Sequence, residues 1–460
     1  GAMAGPDFLY NGIFKQAGIL RVNTVEDLYA HGWTLATQPP LKGRRVGVLT
    51  NSGGPSTTIS YTCDTVGLTV PRFSDKLQAQ IRKHIEPHAS AANPVDMTFD
   101  LSMEKLALTL PELVMQSGEV DAVVLHGTMM TGYLKEIYPT LKDMLGQMSL
   151  EDFLKYGQPM AEETFQLSRK YNMPLLVSSF FDHEDNYIRR FMDTDTPVLF
   201  SPEKTAMALG SLYRYRQIRE RAVYKEPILP KRSKDAQAII QKALANKQKA
   251  LDEYEAKRVL AGYGVPVTKE ALTLHLEEAL RAAKKIGYPV ALKACSWKIM
   301  HKSGKGLIAL HVEDENRLRK EFKNIQKNAG GKVPVLVQEM LGGSREFLAG
   351  MTRFAGFGPG VVFGLGGVFT EVFQDTSLRL APLTEADAKE MFAEIRAAQL
   401  LDKYRGMPKV KLNRLSKIIQ AVGNIALLHP EIAEIDLNPI IIHGAEPVIA
   451  DALMVLESKP

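Results

Sequence analysis

Pro289-Val290-Ala291-Leu292-Lys293, followed eight residues later by His301-Lys302-Ser303-Gly304, decides how the second half of this chain is read. A short apolar run ending in lysine is a strand that delivers a cation to a sheet edge, where it can meet a phosphate. A histidine on the glycine-containing loop just after it can receive one. Together they predict phosphoryl transfer. Either residue alone has a plainer reading, a surface lysine or a solvated loop histidine, so the weight rests on what accompanies them.

Outward from that strand, residues 236 to about 262 read as a helix. A turn follows at Tyr263-Gly264-Val265-Pro266, then a helix over 276–286. Further strands are expected at 335–339, 346–350 and 360–364, which makes this half a separate α+β unit. Gly364-Leu365-Gly366-Gly367 and Lys293 would hold a nucleotide phosphate chain from two sides. Gln338 and Glu339 end a strand where an adenine edge can be read, and Glu346 opens the next, facing ribose or metal. Taken singly, glycine pairs are usually turns. Near the carboxyl terminus, Glu434-Ile435-Asp436-Leu437-Asn438-Pro439, with Asp451 on the following strand, supplies hard oxygen ligands. Alternation puts Glu434, Asp436 and Asn438 on one strand face, with Ile435 and Leu437 on the buried other. Magnesium carried by ATP needs few protein ligands, so one carboxylate and one amide suffice.

The first half carries β-rich runs at Arg45-Val46-Gly47-Val48-Leu49-Thr50, Asp121-Ala122-Val123-Val124-Leu125-His126 and Met173-Pro174-Leu175-Leu176-Val177-Ser178, separated by helix-like sequence. That alternation predicts an α/β, doubly wound parallel sheet with ligands at the carboxyl ends of its strands. Asn51-Ser52-Gly53-Gly54-Pro55 follows the first strand and opens a helix expected over 56–66. Asn51, Gly53 and Gly54 are thus candidates to cradle a phosphate at a helix N-terminus, or else to form a tight turn that binds nothing. His126-Gly127-Thr128 and Asp182-His183-Glu184 are neighbours of that crevice; the triplet lacks metal-ligand spacing. Two prolines among charges at 225–232 mark the linker.

Composition excludes several classes. A 460-residue chain with 45% hydrophobic and 24% charged residues predicts a globular protein of more than one domain. No run of 18 apolar residues or signal-like start is present, which predicts a cytoplasmic location and no membrane partner. Two distant cysteines, Cys63 and Cys295, exclude a disulfide framework. A net charge of +5, concentrated at 214–221 and 231–234, reads as a helix end and linker, since no stacking platform accompanies it to suggest nucleic acid.

Six motifs in order, Val48-Leu49-Thr50-Asn51-Ser52-Gly53-Gly54-Pro55, Asn93-Pro94-Val95-Asp96, Gly287-Tyr288-Pro289-Val290-Ala291-Leu292-Lys293, His301-Lys302-Ser303, Phe363-Gly364-Leu365-Gly366-Gly367 and Glu434-Ile435-Asp436-Leu437-Asn438-Pro439, resemble those of the NDP-forming acyl-CoA synthetases. These are the ADP-forming acetate–CoA ligases, relatives of succinyl-CoA synthetase. The resemblance spans nearly the whole chain. It implies a flavodoxin-like ligase domain over 1–222, a linker over 223–235 and an ATP-grasp domain over 236–458. It further implies the reaction of carboxylic acid, CoA and ATP to acyl-CoA, ADP and phosphate. Lys293 and Glu346 would hold nucleotide, Asn438 and Asp451 magnesium, His301 would relay the phosphoryl group, and Asp436 would lie near the phosphohistidine. An oligomer is expected.

Two departures from the family stand out. The family's first phosphohistidine, in a stretch resembling Ser-His-Thr-Gly-Ala-Leu-Ala-Gly, would fall just before Gly1, and the CoA-binding domain before it is not in this sequence; the expectation is a piece or subunit that needs an N-terminal CoA-binding partner. Gly304-Lys305-Gly306-Leu307 stands where the family has Asp-Val-Gly-Gly. Two other readings use the same residues: an ATP-grasp carboxylate–amine ligase, which would need no His301, and a non-catalytic nucleotide- or acyl-CoA-binding regulatory module.

Overall fold

The computed structural model of the chain describes residues 7–98, 100, 102, 104–128, 131–155, 158–180, 185–221, 227–299, 305–367 and 373–457. His301, the Asp182-His183-Glu184 triplet and residues 223–226 of the expected linker lie outside the described residues. The chain forms two compact units, one of residues 20–221 and one that joins residues 1–19 to 222–460.

In the first unit, β1 (Val46–Thr50), β2 (Val95–Asp96), β3 (Ala122–His126), β4 (Leu175–Ser178) and β5 (Val198–Leu199) form one parallel sheet. Its order is β2-β1-β3-β4-β5. Period-two alternation explains why both faces are covered. Val46, Val48, Ala122 and Val124 point into one apolar cluster with Ile59 and Leu209. Leu49, Val123 and Leu125 point into the other with Phe73 and Leu110. This is the flavodoxin-like order, and it reverses between β1 and β3.

The second unit holds two antiparallel sheets. β7 (Glu270–Thr273), β8 (Val290–Ala294), β9 (Ile308–Val312) and β10 (Val335–Glu339) form the smaller, in the order β7-β10-β8-β9. The larger contains β6 (Ala250–Leu251), β11 (Glu346–Phe354), β12 (Gly358–Leu365), β13 (Thr376–Leu380), β14 (Ile432–His443) and β16 (Leu453–Leu456), ordered β13-β12-β11-β14-β16-β6, with β15 (Glu446–Ile449) paired to β14. The helices Leu276–Ile286 and Glu315–Asn328 bury Ala279, Leu280, Leu318 and Phe322 with the apolar residues of the small sheet. The helix Leu412–Leu428 does the same for the large sheet through Leu415, Ile419, Val422 and Ile425.

Three expectations need correction. The single helix over 236–262 is two, Lys234–Ala245 and Glu253–Ala261. Between them Lys247 takes a positive φ of 55°, and Ala250–Leu251 pairs with β16. A capping box formed by Asp252 and Glu255 then starts the second helix. Asp451 sits between β15 and β16 rather than on a strand. Finally, residues at the start of the expected 1–222 domain belong to the other unit. The helix Asp7–Ala17 lies on edge strand β13, where the Gln16 amide donates to Leu380 O at 2.9 Å and accepts Leu380 N–H at 2.8 Å. Lys15 pairs with Glu394 at 3.1 Å, and Phe8 meets Phe354 edge-on. Covering an open edge with side-chain hydrogen bonds explains why this helix leaves its sequence neighbours.

Candidate functional site

Lys293, on β8, is 6% exposed. Its Nζ donates to Glu253 Oε1 at 2.6 Å, to Ala450 O at 2.9 Å and to Asp451 Oδ2 at 3.3 Å. Burial alone would lower its pKa, but the Glu253 and Asp451 carboxylates outweigh that and raise it, so the side chain is a buried cation. The same Glu253 oxygen accepts from Lys257 Nζ at 2.9 Å. Lys257 is fully buried and also reaches Thr268 at 3.1 Å, Glu270 at 2.8 Å and Gln338 Oε1 at 2.9 Å. Desolvation raises the pKa of Glu270 in spite of Lys257 beside it. Removing one member of such a buried pair costs about 3–5 kcal/mol, because the survivor is left uncompensated.

This network changes the part assigned to Gln338. Its carbonyl is taken by Lys257 and its amide donates to Ala450 O at 3.2 Å, and the residue is 4% exposed. The side chain therefore ties the small sheet to the 450–452 loop and is not presented to an adenine edge. Glu339 stays half-buried at the strand end, where Oε1 accepts Lys269 N–H at 2.8 Å.

The large sheet brings the remaining candidates together. Asn438 Oδ1 accepts the N–H of Gly367 at 3.2 Å, and Gly366 N–H donates to Glu346 O at 3.0 Å. Gly366 is needed for that approach: a Cβ there would lie 2.5 Å from both C and O of Phe347. Gly367 has a φ of 81°, which favours glycine. Asp436 is exposed on β14, yet its surroundings strip part of the water from its carboxyl. That desolvation, followed by the charges of Asp451 and Glu434, pushes its carboxyl up to about 6. Ile435 and Leu437 are buried, as alternation predicts.

As a metal site the donors are hard oxygens, an Asp451 carboxylate and an Asn438 amide, with Asp436 close enough to feel Asp451. Among the described residues no cluster of three or more His, Cys, Asp or Glu side chains could hold a metal by itself. That donor set fits magnesium arriving with a nucleotide, whose phosphates and waters complete the shell. Beside the network, Glu253, Ser296, Trp297 and Asp451 line a recess of about 30 Å³.

In the flavodoxin-like unit, Asn51 follows β1 at the point where strand order reverses, and its Nδ2 donates to Gly127 O at 2.8 Å across to the end of β3. Gly53 and Gly54 begin the helix Gly53–Thr65 and are exposed, three residues earlier than the expected start. The crevice also holds His126, 3% exposed, with Nδ1 2.9 Å from Ser178 Oγ. Burial drops its pKa to about 4, so the imidazole is neutral. A cavity of about 450 Å³ in this unit, lined by Leu35, Leu41, Leu212, Tyr215, Arg216 and Arg219, includes none of the expected site residues. No helix among the described residues is long and apolar enough to cross a membrane.

Sequence reasoning missed Glu253 and Lys257. The signal was present: a capping box at Asp252 sets a helix on which positions 253 and 257 share one face.

Residues 242–456 match a family described as an ATP-grasp domain. The chain is 31% identical to acetate–CoA ligase (ADP-forming) I of Archaeoglobus fulgidus, over 99% of this chain and 63% of that protein. It is 41% identical to the beta subunit of acetate–CoA ligase (ADP-forming) I of Pyrococcus furiosus, over 48% of this chain and 97% of that subunit. A solved structure of the dinucleotide-forming acetyl-coenzyme A synthetase 1 of Ca. Korarchaeum cryptofilum, in complex with coenzyme A, Ca-AMPCP and HgCl+, is 38% identical, covers 48% of this chain and 100% of that one, and superposes with a TM-score of 0.47. The chain thus spans less than two thirds of the length of the Archaeoglobus relative.

Proposed function

Because the chain belongs to the ADP-forming acetate–CoA ligase family, we propose that it supplies the nucleotide-binding and phosphoryl-transfer part of an acyl-CoA synthetase. The reaction is carboxylic acid + CoA + ATP ⇌ acyl-CoA + ADP + phosphate, by way of a phosphohistidine. The observation that carries this reading is the convergence of Lys293, Asp451, Asn438 and the Gly366-Gly367 turn on one part of the ATP-grasp unit.

In that reading Lys293 meets the phosphate chain beside the Gly366-Gly367 turn, whose own N–H groups are held by Glu346 O and Asn438 Oδ1, and Glu346 lies against the nucleotide. Asn438 and Asp451 would hold magnesium, which neutralises phosphate charge during transfer. Asp436, a carboxylate whose proton is held up to about pH 6, would face the imidazolium that develops on a phosphorylated histidine. His301 would take the phosphoryl group, an N–P bond forming as the O–P bond to ADP breaks; this role rests on its motif. Asn51, Gly53 and Gly54 would hold the phosphate at the other end of its journey, at the helix N-terminus beside the β1/β3 reversal. CoA would come with an N-terminal CoA-binding piece.

The test uses the chain with that piece supplied and ATP labelled in its terminal phosphate. Acid-labile label should appear on the protein and be lost in His301→Ala, while Mg-ADP binding in that variant stays within about twofold of the parent. Labelling and turnover undiminished in His301→Ala would reject the relay.

A further inference from the structure

Two lysines lie side by side in the ATP-grasp unit and share one carboxylate oxygen, Glu253 Oε1, at 2.6 Å from Lys293 and 2.9 Å from Lys257. They are not equivalent. Lys257 is fully buried, and its ammonium has four oxygen partners, Glu253, Thr268, Glu270 and Gln338, against three N–H donors. It has no bond left to offer a ligand. Lys293 faces Asp451 at 3.3 Å, the longest contact in the network, and the Asp451 side chain is about one third exposed. Among the described residues of the network, that is the end at which an oxygen of a ligand can replace a protein oxygen.

From this asymmetry we infer that Glu253 is a positioning residue for phosphate binding, fixed by Lys257 on one side and aiming the Lys293 ammonium on the other. A lysine reaches its target on four flexible methylenes, and the phosphate must otherwise supply the ordering cost. Here that cost is met in advance. Glu253 sits in the first turn of the helix Glu253–Ala261, one residue past the N-cap Asp252, and Lys257 lies one turn on. The anchor therefore comes from a rigid element, and Glu270 and Gln338, on β7 and β10, lock its far side. The Ala450 carbonyl, 2.9 Å from Lys293, fixes the remaining direction. Glu253 touches no ligand in this account and reaches the phosphate through Lys293.

The inference rests on the nucleotide reading of Lys293, so the experiment separates the two. Mg-ADP affinity of the full chain is measured by calorimetry for the parent, Lys293→Ala, Glu253→Gln and the two combined. Glu253→Gln keeps shape and removes charge, and should weaken binding about tenfold; in the Lys293→Ala background the same change should cost less than about twofold, since the residue through which it acts is gone. A purely structural Glu253 would give equal losses in both backgrounds. Because Glu253→Gln leaves each ammonium with a single carboxylate, Lys257 with Glu270 and Lys293 with Asp451, the pair Glu253→Gln with Lys257→Met, which keeps the net charge of the parent, is measured as well and should show the same loss in a folded protein. If Lys293→Ala weakens binding and neither Glu253 variant does, the positioning role is wrong and the nucleotide reading stands. If Lys293→Ala binds like the parent, the nucleotide reading fails and the Glu253 role falls with it.

Discussion

The side-chain carbonyl of Asn438, on β14, accepts the backbone N–H of Gly367, just past the end of β12, at 3.2 Å, although the two lie 71 residues apart. One residue earlier, Gly366 N–H is taken by Glu346 O at 3.0 Å. The Gly366-Gly367 turn is therefore held by its neighbours on both sides, and its amides are placed by the large sheet rather than by the turn itself.

That arrangement leaves no room for a side chain at 366. Gly366→Ala would put its Cβ 2.5 Å from backbone atoms of Phe347, which cannot move aside as a flexible side chain would. The expected loss is about 1–3 kcal/mol of stability, together with weaker Mg-ADP binding. Gly342→Ala, with nothing within 4 Å of its Cβ, is the control and should unfold like the parent in urea. Equal stability in the two variants would show that the turn yields.

Asp451→Asn removes a charge that serves both Lys293 and the proposed magnesium. The affinity gained on adding magnesium to ADP should shrink about tenfold, while binding of metal-free ADP changes little, because Glu253 still holds Lys293 at 2.6 Å. Calorimetry with and without magnesium decides it, and an unchanged magnesium effect would take Asp451 out of the metal site.

His126 makes the flavodoxin-like unit acid-sensitive. Its pKa falls from 6.5 to about 4 on folding, so below pH 6.5 the unfolded chain binds a proton that the folded one refuses. Stability is lost as pH drops from 6.5 towards 4, by about 3 kcal/mol over that window, and is fully present above it. Trp33 lies in the same unit and reports its unfolding, with Trp297 replaced by Phe. His126→Gln should be less stable at pH 7 yet lose less on acidification. A parallel decline in both proteins would contradict the buried, neutral imidazole.

Periodicity was enough for the parallel sheet, because strands buried on both faces leave continuous apolar runs such as Ala122-Val123-Val124-Leu125. The strand 335–339 and the helix 276–286 were legible to the residue for the related reason that burial on a fixed face leaves a fixed spacing. What local pattern could not convey is which side chains meet. Helix Asp7–Ala17 precedes the flavodoxin-like unit in the chain but covers β13 of the ATP-grasp unit, since an open strand edge and the Gln16 amide satisfy each other across 364 residues. Lys293 was recognisable as a strand-end cation; that it is buried, paired and aimed follows from Glu253, 40 residues away, and Asp451, 158 away. The sequence by itself determined the two layered architectures and the residue types of the site, because secondary structure follows near-neighbour periodicity. Only the tertiary structure decided that Gln338 faces inward and that Glu253 and Lys257 stand behind Lys293, because the stability of a buried charge depends on partners that sequence distance does not reveal.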